Sequence, residues 1–105
     1  MATGKPWNEI EQQLIITAYL NMLNEELAGR KFNKAETRRT VLPLLAGRSA
    51  GSYEMKCCNI SAALDSLGLK WIKGYKPLPG YQKSLKDEIA RQLRSRPYLA
   101  HIAAN

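Results

Sequence analysis

The chain has 105 residues, of which 45% are hydrophobic and 24% charged; this is the mix of one small globular domain, too short for a second core and too apolar for intrinsic disorder. It carries 16 Lys+Arg against 9 Asp+Glu, a net charge of +7, and its pI near 9.7 lies above the value of about 9 that marks nucleic-acid-binding domains. No apolar run of about 18 residues could span a bilayer, and the N-terminus lacks the basic-then-apolar pattern of a signal peptide, so the expected compartment is the cytoplasm.

The charge is uneven: residues 1–27 hold Lys5 against Glu9, Glu11, Glu25 and Glu26, while the other 15 bases and 5 acids lie after them. The basic field therefore belongs to the last three quarters of the chain. Between Trp7 and Leu27 the apolar positions Trp7, Ile10, Leu14, Ala18 and Met22 step by three or four, and Ile15, Tyr19, Leu23 and Leu27 widen the stripe. This predicts an amphipathic helix near 6–27, with Pro6 tolerated at its first position and Gly29 as a left-handed stop.

Asn33 followed by Glu36 is a capping-box-like start for a second helix, with Ala35, Val41 and Leu42 inward and Lys34, Arg38 and Arg39 outward. Pro43 kinks or ends it. Ser49 can cap a third helix over about 50–67, in which Tyr53, Cys57, Ile60, Leu64 and Leu67 form one apolar stripe. Gly68 ends it, and Leu69 can fold back onto Leu64. The neighbouring Cys57 and Cys58 suit neither an ordinary disulfide nor a zinc knuckle, and are expected to be reduced and structural.

Residues 70–83 alternate Lys70, Lys73, Lys76 and Lys83 with Trp71, Tyr75 and Tyr81, and Gly74, Pro77, Pro79 and Gly80 forbid a helix. An ordered loop or short hairpin-like wing is expected, with Trp71 and Ile72 beneath the third helix. Ser84, with Asp87 and Glu88 in the first turn, then starts a fourth helix whose Leu85, Ile89 and Leu93 face the core until Pro97. Residues 98–105 read as a tail or the beginning of a linker to a missing domain. The expectation is an all-α, four-helix domain over 1–97, with a helix-turn-helix-like core and an aromatic-basic loop before the last helix.

Arg48, Ser49 and Ser52 at the start of the third helix suit a phosphate, through helix N–H groups, hydroxyls and a guanidinium; the plain alternative is an N-cap beside a solvated arginine. Lys56 and Asn59 lie where a recognition helix carries groove-contacting side chains, or on an ordinary solvated face. Lys34, Arg38 and Arg39, with Arg30 and Lys31, could neutralise further phosphates. Lys70, Lys73 and Lys76 extend that charge, and Tyr75 or Tyr81 could stack on an exposed base, although such rings more often belong to a core.

Catalysis finds little support, since His101 is the single histidine and no carboxylate pair, nucleophile elbow or Walker loop is present. Glu54-Met55-Lys56 matches the E-x-K half of a nuclease site, but the further acids that metal-dependent cleavage needs are not assignable. Neither enzyme activity, metal nor cofactor is expected.

Trp7 with Glu9 and Glu11, then Arg48-Ser49 and Ser52, resembles the three-helix Myb/SANT type of DNA-binding unit, without its full set of tryptophans. A longer likeness covers almost the whole chain: Tyr19-Leu20-Asn21-Met22-Leu23, Glu26-Leu27, Asn33-Lys34-Ala35-Glu36, Arg48-Ser49, Gly51-Ser52, Glu54, Lys56, Asn59-Ile60-Ser61-Ala62, Leu67-Gly68, Trp71-Ile72-Lys73-Gly74-Tyr75-Lys76-Pro77 and Tyr81-Gln82. These residues look like the N-terminal head domain of ScoMcrA-like modification-dependent restriction endonucleases. In that family the head precedes modified-DNA readers and HNH nuclease domains of bacterial defence proteins. The resemblance implies a non-catalytic DNA-binding accessory module, with cleavage carried out elsewhere. The chain stops at Asn105 without an HNH segment, which reads as an excised domain or a stand-alone homologue.

The expected partner is DNA, duplex rather than single-stranded, docked through helix 2, the start of helix 3 and the 70–83 loop, with a nuclease domain or subunit of the same system alongside. The alternative is a protein-interaction or dimerisation module that uses the aromatic loop as its anchor.

Overall fold

The computed structural model describes residues 6–105. It contains five α-helices, α1 (Glu9–Leu27), α2 (Lys34–Val41), α3 (Ala50–Ser66), α4 (Lys83–Arg94) and α5 (Pro97–Ala103), and a 3-10 turn at Leu42–Leu44. Among the described residues there is no strand, only an isolated antiparallel bridge between Leu69 and Ala104. No described helix is long and apolar enough to cross a membrane.

The helix boundaries follow from local capping chemistry. α1 begins later than the apolar stripe suggests, because Asn8 Oδ1 accepts from the Glu11 N–H (2.8 Å) while Glu11 Oε1 accepts from the Asn8 N–H (3.1 Å). This reciprocal pair satisfies two orphan donors at once. Ile10, expected inward, is 67% exposed, because the face of α1 that meets the core runs through Ile15, Ile16, Tyr19, Leu20 and Leu23. Asn33 and Ser49 cap α2 and α3 as expected, each accepting from the N–H three residues on. α3 stops where Gly68 adopts φ 75° and the Leu69 N–H donates to the Leu64 carbonyl at 2.9 Å, the paired-bond ending that a left-handed glycine permits. Leu67, expected inward, becomes the cap residue and is 38% exposed.

Two expectations are corrected. Ser84 does not cap α4; the cap is Gln82, and Ser84 Oγ instead accepts from Gln12 Nε2 at 3.1 Å. The expected count of four helices becomes five, because Pro97 opens α5 at a position where its missing N–H costs nothing. Residues 98–105, read as a tail, bury Leu99 and Ala103, and the Lys70 N–H donates to the Ala103 carbonyl at 2.7 Å.

The core lies where α1, α3 and α4 meet. Ile15, Ile16, Tyr19, Leu20 and Leu23 pack with Ile60, Leu64, Leu85 and Ile89, all fully buried. α2 packs chiefly on α1, whereas α3 packs on α4 and α1. Residues 42–49 separate α2 from α3, a longer connection than the three- or four-residue turn of a helix-turn-helix unit.

The 70–83 segment is a strap rather than a wing. Ile72 is fully buried, and its N–H donates to the Tyr19 hydroxyl (2.9 Å), which also pairs with Ser61 Oγ (2.6 Å). Further along, the Leu78 N–H donates to the Cys58 carbonyl (3.0 Å), and Asn59 Nδ2 donates back to the Leu78 carbonyl (2.5 Å). One buried phenol thus ties α1, α3 and the strap together. Tyr19→Phe keeps the ring but strands the Ile72 N–H and the Ser61 hydroxyl, so it should cost about 1–3 kcal/mol. Thermal denaturation should show a fall of about 4–8 °C per kcal/mol, and hydrogen exchange at Ile72 should accelerate.

Candidate nucleic-acid interface

The clearest junction of basic segments is between α2 and the strap. Lys34 Nζ donates to the Gly74 carbonyl at 3.1 Å and sits 4.3 Å from the centroid of the Tyr75 ring. A Cβ at Gly74 would meet that amine at 2.7 Å, so glycine is what lets the lysine approach. In the two segments Lys31, Arg39, Lys70, Lys73 and Lys76 are exposed, and Lys34 and Arg38 are half-buried; Lys70 lies against α5, its N–H on the Ala103 carbonyl. The Lys73 N–H donates to Glu26 Oε2 at 2.9 Å, which fixes that part of the strap on α1. Burial holds the Tyr53 hydroxyl on α3 well above its usual pKa.

Of the strap's aromatic residues Tyr75 is enclosed, while Trp71 and Tyr81 are half-buried. Tyr75 is 3% exposed, its ring lies 6.0 Å from that of Tyr19, and burial pushes its hydroxyl far above the ordinary range. The expectation that Tyr75 touches a base is corrected: the ring belongs to the core, as the alternation of aromatic and glycine-proline residues did not reveal. Tyr81 is half-buried, with its hydroxyl 3.5 Å from Ser66 Oγ.

The start of α3 also differs from expectation. Arg48 is an internal strut: Nε and Nη2 donate to the two Glu11 oxygens at 3.0 and 2.9 Å, and Nη2 reaches the Pro6 carbonyl at 2.8 Å. Its side chain is 8% exposed and that of Glu11 4%. Glu11 Oε2 also accepts from the Ala46 N–H at 2.9 Å. The Arg48 hydrogen bonds, with those from Asn8 and Ala46, outweigh burial and lower the Glu11 pKa to about 2. Trp7 lies beneath, with the Arg48 guanidinium 4.7 Å and Lys56 Nζ 5.2 Å from its ring centroid.

Lys56 and Asn59, expected to face a groove, are each only 7% exposed. The reason is that α3 is covered along that side by Trp7 and by the strap, to which Asn59 is bonded. Burial, and then the like charge of Arg48, lower the Lys56 pKa. Ser49 Oγ is occupied as acceptor by the Ser52 N–H at 3.1 Å, so Ser49 is first of all the capping residue, and Ser52 contributes its backbone N–H to that cap.

The cysteines are free; Cys57 is buried and Cys58 half-buried. Burial pushes the Cys57 thiol up to about 12, so it is protonated at neutral pH and poorly nucleophilic. Among the described residues, no group of three or more His, Cys, Asp or Glu gathers as a metal site. The organising role of Trp7 and Glu11 was not visible in advance. The Asn8-x-x-Glu11 spacing signals the cap, but nothing local couples Glu11 to Arg48, 37 residues away.

Compared with protein-family models, curated proteins and solved structures, the chain matches none.

Glu11 ties the two halves of this region, and its ionisation should register in stability. Its folded pKa of about 2 lies below the ordinary 4.5, so the stabilisation is fully present above about pH 4.5 and is lost as pH falls towards 2. Glu11→Gln leaves Arg48 buried without its counter-charge and should cost about 3 kcal/mol at pH 7. Urea titrations from pH 7 to pH 2 should show the gap between wild type and variant closing below pH 4.5.

Proposed function

We propose that the domain is a non-catalytic DNA-binding module that docks on the duplex phosphate backbone through α2 and the 70–83 strap. The observation that carries this reading is the Lys34–Gly74 contact, which brings together two basic segments 40 residues apart in sequence. The strap contributes lysines and no acid between residues 70 and 83, and the exposed ammonium and guanidinium groups of Lys31, Arg39, Lys73 and Lys76 are available to displace counterions from phosphates. With Tyr75 inside the core, this face offers charge more than base-edge contacts, so it positions a backbone rather than reading a sequence.

A place in a bacterial restriction or defence endonuclease acting in the cytoplasm rests on the resemblance to the head domain of ScoMcrA-like enzymes, whereas the helix-turn-helix character rests on the succession of α2 and α3 and on the Myb/SANT likeness, and the eight residues between the two helices weaken it. On that reading a separate nuclease domain or subunit cleaves the DNA. The alternative of a protein-interaction module loses one of its two anchors, because the Tyr75 ring is packed against Tyr19, and keeps the half-buried Trp71.

Fluorescence anisotropy with a short duplex at several salt concentrations tests the reading. If about five phosphates are neutralised, log K should fall with log salt at a slope of roughly −4 to −5, and Arg39→Ala or Lys73→Ala should each reduce the slope by about one without lowering Tm. Arg48→Ala should behave oppositely, destabilising the fold. An affinity indifferent to salt, or no duplex binding at low salt, would sink the proposal.

A further inference from the structure

We propose that the cavity between the opening of α1 and the length of α4 is a binding site for a primary ammonium group, received by the side-chain oxygen of Gln12. The site shares no residue with the DNA-backbone reading, so either can fail without the other.

The cavity measures about 470 Å³ and is lined by Trp7, Glu9 and Gln12 on one side and by α4 from Ser84 to Arg94 on the other, a volume within the range of small-molecule sites. Its two walls are held together. The Trp7 N–H donates to Gln82 Oε1 at 3.2 Å, and Gln82 Nε2 donates back to the Trp7 carbonyl at 3.4 Å.

The observation that points to an occupant is Gln12. This residue is 3% exposed, and its Nε2 donates to Ser84 Oγ at 3.1 Å. Among the described residues its Oε1 is buried and accepts no hydrogen bond. Buried polar atoms in folded proteins are nearly always paired, and a lone acceptor is costly until something donates to it. Ser84 can hold the amide nitrogen because Gln82, and not Ser84, occupies the cap position of α4. With the nitrogen end turned to Ser84, the oxygen end is left for whatever enters the cavity.

The charges of the lining select the class of donor. Glu9, Asp87 and Glu88 stand against Arg91 and Arg94, an acidic surplus in a chain whose net charge is +7. Arg91 is spent on Glu88, to which its Nε and Nη2 donate at 2.8 and 2.6 Å, and Asp87 accepts from Lys83. Glu9 is exposed and makes no ion pair among the described residues. A primary ammonium has three N–H donors and no acceptor, enough for Gln12 Oε1, the Glu9 carboxylate and the second lone pair of Ser84 Oγ. An anion or a neutral acceptor would leave Oε1 as it is. The same group is carried by a free alkylamine and by a lysine side chain, and the cavity has room for the stem of either.

The test is an NMR titration of the 15N-labelled chain at pH 7 and constant ionic strength, in phosphate buffer free of amines. It follows the Gln12 side-chain amide and the backbone amides of residues 84–88. Saturable shifts are expected with n-butylammonium chloride, and none with tetramethylammonium chloride, which has the charge without an N–H, or with sodium acetate. Gln12→Met keeps an unbranched stem of similar length and should weaken n-butylammonium at least about tenfold. Glu9→Gln, at an exposed position that leaves the fold intact, should weaken it about two- to fivefold. Shifts that do not saturate, equal binding of tetramethylammonium, saturable binding of acetate, or an affinity unchanged in Glu9→Gln would each overturn the site. An Nα-acetyl-lysine methylamide arm names the source: binding as tight as n-butylammonium upholds the site for a lysine side chain, and binding at least about tenfold weaker upholds it for a free amine.

Discussion

The Glu11 carboxylate is the constraint on which the rest of the basic region depends. It lies in the first turn of α1, where it completes the cap with Asn8, and its remaining lone pairs collect the Ala46 N–H and the Arg48 fork. One side chain therefore starts a helix and fixes the approach to α3. A bidentate arginine pair with side chains 8% and 4% exposed is well shielded from solvent, and removing either partner would leave the other as a buried, unmatched charge. Trp7 is held under Arg48 and Lys56 as a consequence, so the position of the start of α3 is decided by a residue at the far end of another helix.

Two polar anchors divide the remaining work. The Tyr19 hydroxyl joins α1, α3 and the strap within the core, while Asn59 and the Leu78 backbone clip the other end of the strap to α3. A strap rich in glycine and proline has little ability to hydrogen-bond to itself. Its conformation comes from what it covers, which is why it carries no wing of paired strands.

The basic residues separate into distinct kinds once the partners are known. Arg30 with Glu25, Arg91 with Glu88 and Lys83 with Asp87 are local pairs with exposed members, screened by solvent and of little weight in stability. Arg48 is structural and Lys56 is enclosed. What remains for a polyanion is the group around α2 and the strap, where Lys34 is drawn against Gly74 and Tyr75. A count of lysines and arginines does not distinguish these kinds, because the distinction rests on contacts made across 37 or 40 residues.

Much of the secondary structure was legible because it is encoded within a few residues. Asn33 with Glu36 and Ser49 with Ser52 are caps that operate over three positions, and Gly29 and Gly68 take the left-handed conformation where a helix must stop. The stripe Tyr53, Cys57, Ile60 and Leu64 is buried as its spacing requires. Pro97 was legible as a boundary but ambiguous in sense, since the same residue ends one helix and suits the first position of the next. The sequence by itself determined a helical domain with a basic surplus, its helix starts and stops and its central apolar face, because propensity, capping and periodicity act locally. The tertiary structure alone decided which charges are internal and which are offered to solvent, that Tyr75 is core and that residues 98–105 close the fold, because burial and pairing depend on which distant segments meet.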